Sequence, residues 1–309
     1  CKNNCFKIDI HIMPDLPYSS PEKDKKMFDY VYSIVCPDQM KIYPCQITPW
    51  TKIEKWYREG KFTPYFDNNP RDLIDVVKYA MLNCPNYIRL PRVIRDIPIG
   101  YISGGCSIPN MREILDKKMV ELGIICKCIR SREIKLANME GIPRRLVIRR
   151  YEASGGIEYF ISYETPDKAK IFGFCRLRLP TKNIGVELQG GELQGEELQF
   201  RELQGSTAFI RELHTYGPMR AISESKNIKG RFNQHTGIGK KLVAIAEGIA
   251  FWKGYRSMVV ISGVGVRNYY RRLGYTELTG NGYLKKHLSC LRSFLHISNM
   301  LFQLMIFCG

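Results

Sequence analysis

"QHTGIGKKLVAIAEGIAFWKGY", residues 234–255, combines a glycine-containing turn with the start of an apolar helix. The apolar residues after Lys241 recur with a period near 3.6, which is typical of a helix with one buried face. A helix N-terminus offers unpaired backbone N–H groups and a partial positive charge, and glycines allow a phosphate to approach those groups closely. The stretch therefore predicts a pyrophosphate-binding turn at Gln234, Gly237 and Gly239.

The residues around this helix predict an antiparallel sheet. Four strand candidates precede it in succession: "RLVIRRYEA" (145–153), "IEYFISYE" (157–164), "KIFGFCRLRL" (170–179) and "STAFIRELHTY" (206–216). Another strand, "SMVVISG" (257–263), a short helix, "VRNYYRRLG" (266–274), and a final hairpin follow it. We therefore predict a second domain over residues 141–287, with a helix inserted after its fourth long strand.

The first part of the chain, residues 1–140, alternates strand-like and helical runs. "FKIDIHIMP" (6–14) alternates apolar and polar residues, and "SSPEKDKKMFDYVYSIV" (19–35) begins with a Ser-Pro-Glu helix entry. "PRDLIDVVKYAMLNC" (70–84) and "NMREILDKKMVELG" (110–123) are further helix candidates. Alternation at this spacing predicts parallel βα units belonging to a barrel or an open sheet.

Two segments fit neither domain pattern. "ELQGGELQGEELQFRELQG" (187–205) places a leucine every five residues, which we interpret as a low-complexity insertion because four such units are too few for a solenoid. Residues 288–309 form an apolar tail that carries no charge after Arg292. We predict either an amphipathic helix packed on the body or sequence foreign to the fold.

Composition favours a polyanionic partner. Lys and Arg outnumber Asp and Glu by 47 to 30, a net charge of +17, so nucleic acid is the first expectation and an anionic membrane surface the second. Eleven cysteines are scattered along 309 residues without a preceding signal peptide, which predicts reduced thiols and a cytoplasmic location. No run of 18 apolar residues exists, so no membrane span is expected.

The order of elements around the glycine turn resembles that of Gcn5-related N-acetyltransferases. In that family the turn binds the pyrophosphate of acetyl-coenzyme A (acetyl-CoA), and the preceding strand is splayed so that its backbone pairs with the pantetheine. A tyrosine often serves as acid toward the coenzyme A thiolate. Tyr270, four residues before Gly274, matches that tyrosine, with Tyr269 beside it. The structural alternative for both is packing in an aromatic core.

A narrower resemblance covers residues 6 to about 287, outside the repeat. The motifs that carry it are "HIMPDLP", "KIYP", "GKFTPY", "RVIRDIP", "RYEASGGIEYFISYE", "FGFCRLRLP", "IRELHTYG" and "ISGVGVRNYYRRLGY". Together they resemble the catalytic subunit of Elongator, a tRNA carboxymethyluridine synthase. The resemblance implies the C-terminal part of a radical S-adenosylmethionine (SAM) partial barrel followed by an acetyltransferase domain. It also implies action on tRNA wobble uridine 34, and either Elongator-type subunits or a homodimer as partners.

Site residues follow from the same resemblance. It implies coenzyme contacts from a strand and from the glycine turn, in addition to Tyr270: Leu213, His214, Thr215, Gln234, His235, Thr236, Gly237, Ile238, Gly239 and Lys240. His214 and Glu212 are candidates for a general base, although alternate residues of one strand share a face and one of them can simply pack.

The metal motifs depart from the family pattern. The cluster-binding cysteine triad of the radical domain lies upstream of the matched region, and no closely spaced three-cysteine motif occurs here, so we expect a truncated product without radical chemistry of its own. "CKCIRS" (126–131) resembles a zinc segment but ends in Ser131. Cys126 and Cys128 complete a tetrahedral zinc site only if Cys84, Cys106 or His11 joins them; the alternative is two ordinary thiols.

Five arginines are candidates for RNA phosphate binding: Arg89, Arg92, Arg95, Arg130 and Arg132. Each can instead form a structural ion pair, for example with Asp96. Three functions therefore stay open: an acetyl-CoA-dependent tRNA-modifying acyltransferase, a protein lysine acetyltransferase, and a catalytically inactive tRNA-binding remnant. The first is favoured by the number of matching motifs.

Overall fold

The computed structural model describes residues 1–134, 141–181, 206–216, 237–277 and 282–289. These residues form two compact units, one of residues 8–132 and one of residues 1–7 with residues from 133 onward. The leucine repeat at 187–205 and nearly all of the tail lie outside the described residues, and so do Gln234, His235 and Thr236.

The unit of residues 8–132 is built on parallel strands. Strand β1 (Asp9–Ile12) pairs in parallel with β2 (Gln39–Ile42). On the other side of β2, Met40 N donates to Arg89 O at 2.9 Å and Ile42 N donates to Arg92 O at 3.0 Å. Helix α1 (Pro21–Tyr30) connects the first two strands and continues into a π turn. The predicted parallel βα arrangement is therefore confirmed.

Three helices of this unit begin at a residue whose side-chain oxygen accepts a hydrogen bond from a first-turn amide: Ser20, Thr51 and Asn69. Ser20 caps α1, with Pro21 in the first helical position. The remaining elements of the unit are α2 (Lys52–Arg58), α3 (Tyr65–Asn68), α4 (Pro70–Asn83), α5 (Met111–Glu121), α6 (Ile129–Arg132) and an antiparallel pair of β3 (Gln46–Ile47) with β4 (Gly104–Gly105). Helix α4 buries an apolar stripe at helical spacing that includes Leu73, Val76 and Ala80.

In its described residues, the second unit contains a seven-stranded sheet and two α-helices. Its strands are β5 (Arg145–Glu152), β6 (Gly156–Glu164), β7 (Ile171–Pro180), β8 (Thr207–Thr215), β9 (Ser257–Ile261), β10 (Thr276–Glu277) and β11 (Tyr283–His287). The spatial order is β10-β11-β9-β8-β7-β6-β5, and only the β8–β9 pair is parallel. Helix α7 (Ile238–Trp252) packs on the central strands, and α8 (Arg267–Arg272) follows β9.

Residues 1–7 lie with the second unit, whereas the sequence analysis assigns them to the first domain. Asn3 Oδ1 accepts a hydrogen bond from Arg178 Nη2 at 2.7 Å, and Cys5 is buried against Phe209 and Val259. The apolar and polar alternation runs unbroken from Phe6 through β1 and conceals this division. The division at 132/133 also precedes the predicted boundary near residue 140.

Within the described part of the chain, no helix is long and apolar enough to cross a bilayer. The nine described cysteines are all free thiols.

Candidate functional site

Strands β8 and β9 stop pairing half-way along β8. Their parallel pairing runs from Thr207 opposite Ser257 to Ile210 opposite Val260. The register between β7 and β8 shifts at the same level, so that Arg211 is an extra residue in β8. From there to Thr215, β8 stays paired with β7 while, within the described strands, its pairing with β9 has ended. We call this divergence of residues 211–215 of β8 from β9 the fork. Its open backbone edge can form hydrogen bonds with an extended ligand.

The N-terminus of α7 lies beside the open arm of this fork. Gly237 precedes the helix with φ of +105°, a conformation that side chains rarely adopt. A Cβ atom built on Gly239 would lie 3.7 Å from Thr215 Cγ2 at the end of β8. The first-turn N–H groups of a helix have no intrahelical acceptor, so this turn suits an anion. Lys240 is exposed next to it, and Ile238 is buried under the helix.

The two tyrosines of α8 occupy different environments. The Tyr269 hydroxyl is 2.8 Å from the position that a Cβ atom would take on Gly239. Tyr270 is buried, and its ring contacts the Tyr275 ring edge-on at 5.7 Å. Burial raises the pKa of Tyr269 to about 12 and raises the pKa of Tyr270 as well. Both hydroxyls are protonated at neutral pH and can donate a proton or a hydrogen bond.

Glu212 and His214 lie on β8 in unlike settings. The Glu212 carboxylate accepts from Lys7 Nζ at 2.8 Å and from Arg176 Nε at 2.9 Å. Burial alone would raise its pKa, but the two cations outweigh burial and lower it, which makes Glu212 a weak base held in ion pairs. His214 is exposed, with its ring 4.5 Å from that of Tyr216. Leu213, between them, packs against the core under α7.

The cysteines of the first unit form no metal site. Cys126 and Cys128 are buried, and Arg112 Nη2 approaches Cys128 Sγ at 3.6 Å and Ser131 Oγ at 2.8 Å. The pKa of the Cys128 thiol is lowered by its contact with Cys126 and by the guanidinium. Because a cation already faces this sulfur, a second cation is disfavoured there.

The remaining zinc candidates do not complete the site. His11 lies 3.1 Å from Lys41 Nζ and contacts the Tyr43 ring instead. Over the described ranges, no group of three or more His, Cys, Asp or Glu residues can hold a metal ion. The zinc prediction is therefore not supported, and the described residues do not fit an iron–sulfur cluster either.

The candidate RNA-binding arginines divide by exposure. Arg92 and Arg95 are exposed in the segment whose backbone pairs with β2 through Arg89 and Arg92, and Arg92 Nη1 lies 3.5 Å from Asp96. Arg89 and Arg130 are half-buried. Arg132 is buried, and it donates to the main-chain carbonyls of Lys127 and Asn86. Its role is therefore to fix the backbone, and we remove it from the phosphate-binding set.

Exposed aromatic residues also lie in the loops of the first unit. Tyr18 lies between β1 and α1, Trp50 lies between β3 and α2, and each is 92% exposed. Both have φ near +65°, an unusual conformation for a bulky side chain. Tyr101, just before β4, is also exposed. None of these residues is among the candidates that the sequence indicated; an aromatic residue in a loop between a strand and a helix is the signal that marks Tyr18 and Trp50.

Comparison with known proteins places these features in a family. Residues 37–121 match the Radical_SAM C-terminal domain. The tRNA uridine(34) acetyltransferase of Methanocaldococcus jannaschii is 35% identical over 296 residues, which are 93% of this chain and 51% of that protein. Elongator complex protein 3 of Homo sapiens is 36% identical over 282 residues, covering 89% of this chain and 48% of that protein. The chain thus spans about half the length of the curated relatives it matches.

A solved structure agrees with the sequence comparisons. The archaeal Methanocaldococcus infernus Elp3 with an N-terminal deletion (1–46) matches with a TM-score of 0.75 and 35% identity, over 93% of this chain and 64% of that chain. The predicted fold, the C-terminal part of a radical SAM partial barrel followed by a Gcn5-related N-acetyltransferase domain, is confirmed. A forked sheet of the acetyltransferase type in one chain with such a βα unit defines a class of two-domain proteins. The chain belongs to the family of the tRNA uridine(34) acetyltransferases and Elongator complex protein 3.

Proposed function

We propose that this chain is an acetyl-CoA-dependent tRNA-modifying acyltransferase that acts at wobble uridine 34 in forming 5-carboxymethyluridine. The names of its relatives support the substrate and the position. The observation that carries the proposal is the fork between β8 and β9 with the glycine turn of α7 beside it.

The fork and the turn bind different parts of the coenzyme. The backbone of residues 213–215 pairs with the pantetheine, as an added strand pairs with an open edge. The amides of Ile238, Gly239 and Lys240 bind the pyrophosphate, together with the turn residues that precede them. Bound acetyl-CoA supplies the acetyl group.

Tyr270 serves as the acid toward the departing thiolate. Its raised pKa keeps the proton on the hydroxyl at neutral pH, and a positioned donor contributes about 10²-fold or more to rate. Tyr269, more exposed and set against Gly239, shapes the turn and shields the coenzyme. His214 is the better-placed base of the two candidates, because Glu212 is held by Lys7 and Arg176.

The first unit contributes an RNA surface. Arg92 and Arg95 neutralise phosphates, and Tyr18 and Trp50 stack on unpaired bases of an anticodon loop. The net charge of +17 supports a polyanionic substrate. The family's radical chemistry needs SAM and a [4Fe-4S] cluster, and the part of the chain that the structure describes has no group of three side chains placed to hold a metal ion. Association with Elongator-type subunits or a second copy stays a prediction.

The test is to incubate the chain with acetyl-CoA and to measure thiol release with and without tRNA. We expect release to be stimulated by tRNA. Transfer to a lysine peptide without RNA would support a protein acetyltransferase instead. RNA binding without coenzyme binding would support an inactive remnant.

A further inference from the structure

Residues 5–7 run alongside β8 at the point where the fork opens. Three consecutive contacts join residues that are each 205 positions apart: Cys5 Sγ to Ile210 O at 3.1 Å, Arg211 Nη1 to Phe6 O at 2.9 Å, and Lys7 Nζ to Glu212 Oε1 at 2.8 Å. The segment therefore follows β8 residue by residue. Ile210 is the last residue of β8 that pairs with β9, and Arg211 is the extra residue of the bulge.

Cys5 occupies the base of the fork. It is fully buried and packs against Phe209 of β8 and Val259 of β9, which are opposite each other in the parallel pairing, and against Tyr283 of β11. The thiol donates to the carbonyl of Ile210. The segment thus contacts both arms of the fork where they are still joined.

Charged side chains hold the segment and the bulge together. Arg211 is buried and donates to Glu158 of β6, with Nη2 and Oε2 2.8 Å apart. Glu212 binds Lys7 on one side and Arg176 on the other, and Arg176 lies 5.2 Å from the ring centre of Phe160. Hydrogen bonds between ionised groups are about twice as strong as neutral ones, so these contacts favour a single geometry of residues 210–212.

We propose that residues 5–7 form a clasp that keeps β8 apart from β9, and that Lys7 is a positioning residue for the coenzyme, acting through Glu212. The inference rests on the proposed function of the fork as the acetyl-CoA site. Without the Lys7–Glu212 ion pair, Glu212 keeps only Arg176 of β7 as a partner, and the N-terminal segment no longer fixes the position of residues 211–215. The open backbone edge then samples other positions, and the coenzyme binds more weakly.

The test compares acetyl-CoA affinity in the full chain by calorimetry. We expect Lys7→Met to weaken binding about tenfold, which is about 1.4 kcal/mol, because Glu212 then keeps only one of its two cations. Lys7→Arg should restore affinity to within about twofold, because it retains the charge. Arg150→Met is the matched control, because it removes the Arg150–Glu152 ion pair on β5 of the same sheet, away from the fork. The affinity for tRNA should be the same in all four proteins.

Hydrogen exchange without coenzyme separates this inference from the proposed function. Lys7→Met should speed exchange of the amides of residues 211–215, whereas Arg150→Met should not. If the unaltered chain fails to bind acetyl-CoA, the proposed function is wrong, and the exchange data alone decide whether the clasp exists. A Lys7→Met protein with a lower melting temperature but unchanged coenzyme affinity and unchanged exchange at 211–215 would overturn the clasp.

Discussion

The hydroxyl of Tyr269 lies 2.8 Å from the point where a Cβ atom of residue 239 would stand, so Tyr269 and Gly239 fit together only because residue 239 is glycine. A separation below 3.0 Å is essentially never seen for real Cβ atoms, so a side chain at Gly239 displaces the tyrosine or the helix. The absence of a side chain at Gly239 therefore has two consequences. It lets Tyr269 of α8 approach the turn closely, and it lets an anion reach the amides of the turn.

Gly239→Ala is expected to weaken acetyl-CoA binding at least tenfold, as measured by calorimetry, and to leave tRNA affinity unchanged. The added methyl group both covers the amides of the turn and collides with the Tyr269 hydroxyl. Gly100→Ala is the control, because its Cβ would meet nothing within 4 Å.

A double variant separates the two effects of that methyl group. Adding Tyr269→Phe to Gly239→Ala removes the colliding oxygen, and the next ring atom, Cζ, lies at an ordinary 3.7 Å. We expect the double variant to melt at a higher temperature than Gly239→Ala, because the collision is relieved, while its coenzyme affinity stays low. Full recovery of affinity would show that the methyl group acts through the tyrosine and that the turn does not bind the phosphates.

Tyr270→Phe is expected to lower tRNA-stimulated thiol release about 10²-fold without changing the affinity for coenzyme or tRNA. The phenyl ring keeps the edge-on contact with Tyr275 and loses only the proton donor. Tyr269→Phe is the comparison, and we expect a smaller loss of rate from it. Full activity of the Tyr270 variant would remove the acid role, and a greater loss from the Tyr269 variant would transfer that role to its neighbour.

The sheet and α7 could be predicted because their apolar residues recur at the periods of a strand and a helix, and burial enforces those periods. The fork follows from family resemblance alone, since nothing in "FIRELHT" marks Arg211 as an extra residue. The roles of Lys7 and Glu212 could not be predicted, because the ion pair joins residues 205 positions apart. Trp50 was missed because large apolar residues are normally expected inside a fold.

Reversing Arg92 and Arg95 to Glu is expected to weaken binding of all tRNAs alike and to flatten the dependence of affinity on salt. Each neutralised phosphate releases counterions and contributes a slope of about 0.7–0.9 in log-log form. Binding titrations at several salt concentrations measure that slope. The control is Arg132→Met, whose guanidinium binds main-chain carbonyls: it should affect stability and leave the slope unchanged. An unaltered slope in the reversal variant would mean that RNA follows another surface.

Trp50→Ala is expected to weaken tRNA binding by about 1–3 kcal/mol, the usual contribution of one base stacked on an aromatic side chain. Trp50→Phe should retain most of that affinity because it keeps a flat ring. The loss should be nearly independent of salt, which distinguishes stacking from the charge reversal. Equal affinities of the Ala variant and the unaltered chain would exclude Trp50 from the RNA surface.

Asp15, in the loop after β1, is a buried carboxyl group that titrates near neutrality. It is 1% exposed, and its carboxylate accepts from the amides of Tyr65 at 2.7 Å and Phe66 at 3.2 Å. Burial raises its pKa from the ordinary 3.8 to about 7, against the opposing effect of those two amides and with a further rise from the charge of Asp24. Because the pKa is higher in the folded chain than in the unfolded chain, the proton favours folding.

The stability contributed by protonated Asp15 is therefore fully present below about pH 4 and is lost as the pH rises through about 7. Asp15→Asn removes the titrating group while keeping an acceptor for one of the two amides. Denaturant unfolding should show the variant less stable than the unaltered chain at pH 4.5, with the difference shrinking or reversing at pH 8. Asp96→Asn, at an exposed aspartate in the same unit, should show the same difference at both pH values. A pH-independent difference for Asp15→Asn would mean that the buried carboxylate stays ionised throughout, stabilised by the Tyr65 and Phe66 amides more strongly than burial opposes it.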